Sequence, residues 1–244
     1  MSLWPDVLDT VRPPRGSRDG PLPPLLLALT VVTGLVDATS YLRLGHVFVA
    51  NMTGNFVFLG FALAGAKGLS VAASLVAIGA FLLGGLIGGR LGIRRKRHRG
   101  LHLRAALMVQ FAFVAAAVAI AAATGAGLHS GSATRYSLIV LLGTGMGIQN
   151  ATVRGLNVRD LMTTVLTMTL TGVAADSSLI GGQGSQLARR TLSIATMVLG
   201  ALIGALLVLN VSDAAPLGAA AVVIALAAVT AHRVSRTPGP WTEP

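Results

Sequence analysis

Hydrophobic positions along this chain fall into eight long runs, at roughly 22–42, 47–66, 69–91, 104–125, 136–153, 161–178, 191–211 and 215–232. Runs of this length predict membrane helices, since crossing a ~30 Å hydrocarbon core takes roughly 20 apolar residues. The ~10-residue alternating segments of a membrane β-barrel do not occur in the sequence. Two runs are interrupted by polar side chains. VFVANMTGNFVFLG places Asn51, Thr53, Gly54 and Asn55 among phenylalanines, and 161–178 carries Thr163, Thr164, Thr167 and Thr169. Non-helical backbone at membrane depth is tolerated only where it is buried in protein or lines a cavity. Both runs are therefore expected to be broken or re-entrant, with Gly54 supplying the break in the first.

The runs repeat. Gly84 and Gly88 in the third run match Gly200 and Gly204 in the seventh at an offset of 116. GLVDATSYL at 34–42 aligns with GIQNATVRG at 147–155 at an offset of 113, so Asp37-Ala38-Thr39 corresponds to Asn150-Ala151-Thr152. The chain thus reads as one membrane domain, 22–232, made of related halves at about 22–125 and 136–232, with an N-terminal tail at 1–21 and a C-terminal tail at 233–244. The small residues spaced four apart, as in GGLIGGRLG, let membrane helices approach closely. They are read as packing positions, and a homo-oligomer is compatible with them.

Charge decides how many runs cross. With eight full spans, Lys and Arg divide almost evenly between the two sides. If the first two runs of each half make one net crossing, 14 basic residues gather on one side and only Lys67 and Arg135 lie on the other. The positive-inside rule favours the second arrangement. The expectation is an all-α polytopic membrane protein with six net crossings, three per half, which inverts the second half; eight full spans is the alternative.

Composition agrees with this class. Of 244 residues 53% are hydrophobic and 11% charged, with mean hydropathy +0.75, against about 25% charged in soluble domains. The net charge of +11 lies in loops and tails, so it points to topology and anionic lipid at the cytoplasmic face. Arg94, Arg95, Lys96, Arg97 and Arg99 are the residues assigned that role, and no nucleic-acid partner is expected. Without cysteine there is no disulfide or thiolate metal site, and the five histidines lack ligand spacing. GTGMGIQN at 143–150 lacks the lysine and the strand–helix setting of a phosphate loop. No cofactor is called for.

GLVDATSYLRLGHVFVANMTGN and GMGIQNATVRG together resemble the YoaK-like bacterial membrane proteins, a family of unknown function, over about 25–230. Gly34, Asp37, Ala38, Ser40, Tyr41 and Asn51-Met52-Thr53-Gly54-Asn55 carry the first-half motifs, and Gly147, Gln149, Asn150 and Ala151 the second. The second polar run departs from the family's Thr-Gly pair, reading Thr167-Met168. The resemblance implies a multi-pass inner-membrane protein and no particular substrate.

A carboxylate at mid-membrane costs about 2.5–3.5 kcal/mol on insertion scales, which makes Asp37 a functional candidate. Asp37, Ser40, Tyr41, Asn51, Thr53, Gly54, Asn55, Gln149, Asn150, Thr163 and Thr167 are read as lining a site for a small polar or charged solute. Broken segments at matching places in inverted halves are the pattern of secondary transporters. A structural membrane subunit, its amides used for packing, is the competing reading. Enzymatic activity is not expected, because no metalloprotease, serine-hydrolase or paired-carboxylate arrangement is present.

Overall fold

The computed structural model describes residues 4–14, 16–94, 98–124, 132–158, 161, 163–164, 170–171, 187–236 and 239–242. Among these residues the chain is helical and contains no strand. The helices are α1 (Trp4–Val11), α2 (Leu22–Arg43), α3 (Met52–Leu63), α4 (Val71–Arg94), α5 (Arg99–Thr124), α6 (Ser132–Leu156), α7 (Leu187–Asn210) and α8 (Ala215–Val234). A short 3-10 turn, Pro240–Thr242, follows. Five helices, α2, α4, α5, α7 and α8, are long and apolar enough to cross a membrane. The sixth long helix, α6, is 25 residues but carries Gly143, Thr144, Gly145, Gly147, Gln149 and Asn150 in sequence, and all but Asn150 are buried. A helix so polar is stable here because neighbouring helices cover it, not lipid.

The packing interlocks distant parts of the chain. α2 lies mainly on α7 and α8, α6 lies mainly on α4 and α5, and α5 meets α8. Glycines set the two tightest crossings. A Cβ at Gly84 would collide with the Thr144 carbonyl oxygen, and one at Gly88 would press on Ile148 and Ala151. At the other crossing, a Cβ at Gly200 would collide with the Val31 carbonyl oxygen, and one at Gly204 would press on Leu35 and Ala38. These contacts are equivalent position for position under the offsets of 113 and 116. In both, residue numbers rise together, so α4 runs parallel to α6 and α2 parallel to α7. Arg135 at the start of α6 lies beside Gly45 just past the end of α2, while Leu156 at the end of α6 meets Arg99, close to Asp19 before α2. α2 and α6 therefore run in opposite directions.

The structure bears on several of these expectations. The run at 47–66 is a helix only over Met52–Leu63, about 18 Å at 1.5 Å per residue, too short to cross ~30 Å. Gly54 lies in the first turn of α3 rather than at a break; the irregular chain is 44–51, reversed by Gly45 (φ 93°) and His46 (φ 55°). Gly54 is needed because a Cβ there would meet the Phe48 ring at 2.7 Å. The N-terminal stretch read as a tail contains α1, since Trp4, Val7, Leu8 and Val11 share one helical face. At the other terminus Trp241 is buried, packed near Gly20 and Gly100 and edge-on to His98. The run at 161–178 lies largely outside the described residues.

Candidate functional site

Asp37 sits on α2, six residues before its end, about 9 Å from that end at 1.5 Å per residue, and is 3% exposed. Its Oδ1 accepts the backbone N–H groups of Val49 and Ala50, both at 2.9 Å. Its Oδ2 accepts the side-chain amide of Asn51 at 2.5 Å. The chain leaving α2 therefore turns back to the level of Asp37 before α3 begins. Buried backbone N–H groups must find acceptors, and in this irregular stretch the carboxylate supplies them.

Asn55, fully buried, performs the same service one turn into α3. Its Oδ1 accepts the Phe48 N–H at 2.8 Å and its Nδ2 donates to the Phe48 carbonyl, so the side chain replaces a strand partner for that residue. The Ser40 hydroxyl donates to the Asp37 carbonyl at 3.2 Å. Tyr41 packs its ring against His46 and Phe48, each at 5.1 Å, and near Phe58. Thr53 is exposed and is not gathered with the others. Asp37, Ser40, Asn51 and Asn55 thus form one cluster, flanked by Tyr41 and Gly54.

A second cluster centres on Gln149 of α6. Its Nε2 faces Thr33 Oγ1 (3.0 Å), Thr163 Oγ1 (3.2 Å) and the Leu29 carbonyl (3.3 Å), while its Oε1 accepts Gln110 Nε2 at 2.7 Å. The direction of this chain is forced. Thr33 gives its own proton to the Leu29 carbonyl, so it accepts from Gln149, whose oxygen must then face Gln110. Gln110 Oε1 is left buried with no partner. Sequence reasoning missed Gln110, although it stands alone among apolar residues in ALMVQFAFVAAAV; an isolated amide in a membrane run was the available signal.

Next to Gln149, Asn150 donates to Thr164 Oγ1 at 2.5 Å, across 14 residues. The Asn51–Asp37 bond also spans 14 residues, and the offset of 113 superimposes one pair on the other. Asn150 lies six residues before the end of α6, as Asp37 does on α2. In the first half the helix residue accepts from the returning chain, and in the second it donates to it. Of the sites named from sequence, Thr167 and the loop residues Arg95, Lys96 and Arg97 lie outside the described residues. Arg94 ends α4, and Arg99 pairs with Asp19 at 3.7 Å and reaches the Leu156 carbonyl. No cluster of three metal-ligating side chains occurs among the described residues.

Long apolar helices that bury amides and a carboxylate inside the bundle define an integral membrane protein of the helical class. The chain belongs to the family described as "Protein of unknown function (DUF1275)", whose model matches residues 25–230. It is 32% identical over 161 residues to UPF0700 transmembrane protein YoaK of Bacillus subtilis (strain 168), a match covering 63% of this chain and 66% of that relative. No solved structure matches.

Proposed function

We propose that the protein is a secondary transporter or channel-like permease of the inner cell membrane for a small polar or charged solute, without enzymatic activity. The observation that carries this reading is the pair of ties Asp37–Asn51 and Asn150–Thr164, at equivalent places on two buried helices that run in opposite directions. It supports six crossings and an inverted second half, with a re-entrant segment in each. Polar sites between inverted repeats are where such folds hold solutes and rock about them.

The two ends carry equivalent locks. At one, Arg43, the last residue of α2, pairs with Asp213 in the α7–α8 turn at 2.7 Å and donates to the Val208 carbonyl. At the other, Arg99, just past the α4–α5 turn, donates to the carbonyl of Leu156, near the end of α6. Exchange of the halves turns one end-to-turn contact into the other. Alternating access in this reading breaks one lock while the other holds, with the cluster of Asp37, Asn51 and Asn55 and the cluster of Gln149, Asn150 and Thr163 facing the two sides in turn. Arg94, Arg95, Lys96 and Arg97 meet anionic lipid at the cytoplasmic face, whereas Arg99 is engaged by Asp19 and the Leu156 carbonyl.

One observation favours a structural subunit instead: the oxygens of Asp37 are already engaged by Val49, Ala50 and Asn51. The cysteine-free chain separates the readings without knowledge of the solute. A cysteine at Asn150 is probed with an impermeant thiol reagent from each side of sealed, oriented vesicles. A transporter predicts reaction from both sides, with Arg43→Gln raising outside and lowering inside reactivity and Arg99→Gln doing the reverse. Reactivity that ignores both substitutions points to the structural subunit.

A further inference from the structure

Helix α1 leaves most of an apolar face uncovered, Trp4, Leu8 and Val11 being exposed. In WPDVLDTV the residues Trp4, Val7, Leu8 and Val11 recur at i, i+3, i+4 and i+7 and share one face, with Asp6, Asp9 and Thr10 on the other. In water the apolar stripe of such a helix turns to the core. Here Thr10 is buried and Val7 half-buried, whereas Trp4, Leu8 and Val11, like Asp6 and Asp9, are exposed. α1 rests on α7 and α2, Thr10 is buried, and its hydroxyl donates to the Asp6 carbonyl at 2.7 Å. Asp9 lines a cleft with Arg18, Asp19 and Arg189. Trp4, Leu8 and Val11 point away from the protein, 73%, 57% and 45% exposed.

Location says what covers them. α1 lies where two long apolar helices begin, at Leu22 and Leu187, so it stands at the level where hydrocarbon gives way to headgroups. Eight residues cannot cross a bilayer, and tryptophan favours that boundary because its ring is apolar with one polar edge. Arg12 and Arg18, exposed beside it, add positive charge to a chain of net charge +11.

We infer that α1 is an interfacial helix, its Trp4–Leu8–Val11 face sunk into the boundary between headgroups and acyl chains of the bilayer the protein spans, with Arg12 and Arg18 against anionic headgroups. This is the arrangement of monotopic amphipathic segments, here attached to a membrane domain. It has a mechanical consequence. The chain from α1 leads directly to Asp19, which pairs with Arg99 of α5 and Arg189 of α7, so the bilayer grips the segment that ties three helices together. The inference stands whatever the solute, and whether or not there is one.

The chain has two tryptophans, so Trp241→Phe leaves Trp4 as the sole indole. The full chain is reconstituted in vesicles of phosphatidylcholine and phosphatidylglycerol, and Trp4 emission is titrated with lipid brominated near the glycerol end of its acyl chains and, separately, with aqueous iodide. The expected result is strong quenching by the brominated lipid and weak quenching by iodide. In Leu8→Glu/Val11→Glu, checked for retained helicity and monodispersity, the order reverses. Quenching by iodide alone in the parent protein overturns the inference, since the face is then in water. Protection from both quenchers that disappears on dilution into excess lipid also overturns it, because a second copy then covers the face.

Discussion

Asparagine at position 37 would still offer an oxygen to the Val49 and Ala50 amides, while leucine would strand both donors. Leaving a buried donor without its acceptor costs about 1–3 kcal/mol. Asp37→Leu is therefore expected to lower the melting temperature in detergent substantially and Asp37→Asn only slightly; equal losses would mean that the carboxylate does not hold the 44–51 turn. Asn55→Ala removes both partners of Phe48 and is predicted to cost a similar amount, seen as faster proteolysis between α2 and α3. Gln110→Leu is a different case. It removes the orphaned oxygen of Gln110 but leaves Gln149 Oε1 without its donor, so one unpaired oxygen replaces another and the loss is one interhelical bond, which in membranes averages only ~0.6 kcal/mol. Its thermal stability should stay near that of the parent, so under the transporter reading any loss of flux in that variant reports on the site, not on folding. The importance of Asp37 and the two asparagines was legible in sequence as polar residues where leucine belongs. Their partners were not, because those are mostly backbone groups of an irregular stretch, and no residue pattern encodes which N–H a carboxylate will meet.

Between elements, the two glycine crossings make a paired prediction. Gly84→Ala and Gly200→Ala place a methyl group against a carbonyl oxygen of the partner helix, Thr144 in one and Val31 in the other. Overpacking of this kind costs about 1–3 kcal/mol, and both variants should lose thermal stability by comparable amounts. Gly89→Ala, where the added Cβ meets nothing within 4 Å, should be neutral or slightly stabilising, since alanine is the better helix former. A neutral Gly84→Ala would refute the close crossing. The spacing of these glycines announced helix packing in the sequence. Which helix each would touch was hidden, because α4 packs on α6 and α7 on α2 instead of on sequence neighbours. The register of the N-terminal stretch was legible too, in the apolar spacing of Trp4, Val7, Leu8 and Val11, but proline and mixed charge around it argued for a tail.

For the whole molecule, sidedness is the measurable property. Single cysteines at Ser70 and Ser212 are expected to react with an impermeant maleimide in intact cells, and those at Ser17 and Ser235 only after permeabilisation. Labelling of all four from outside would refute six crossings. Hydrophobic run length and the distribution of basic residues between runs determined the class and the expected topology, since both are set by the cost of burying charge and unpaired backbone in hydrocarbon. Repetition of Asp37-Ala38-Thr39 as Asn150-Ala151-Thr152 marked the halves. Tertiary structure decided the rest: that α3 is a half-helix folded back to Asp37, that the halves interlock through glycine crossings, and that Gln110 joins Gln149. The reason is physical. Local pattern encodes how each segment meets lipid, whereas a broken segment and a buried amide are stabilised by atoms far away in the chain, which only the folded bundle brings within bonding distance.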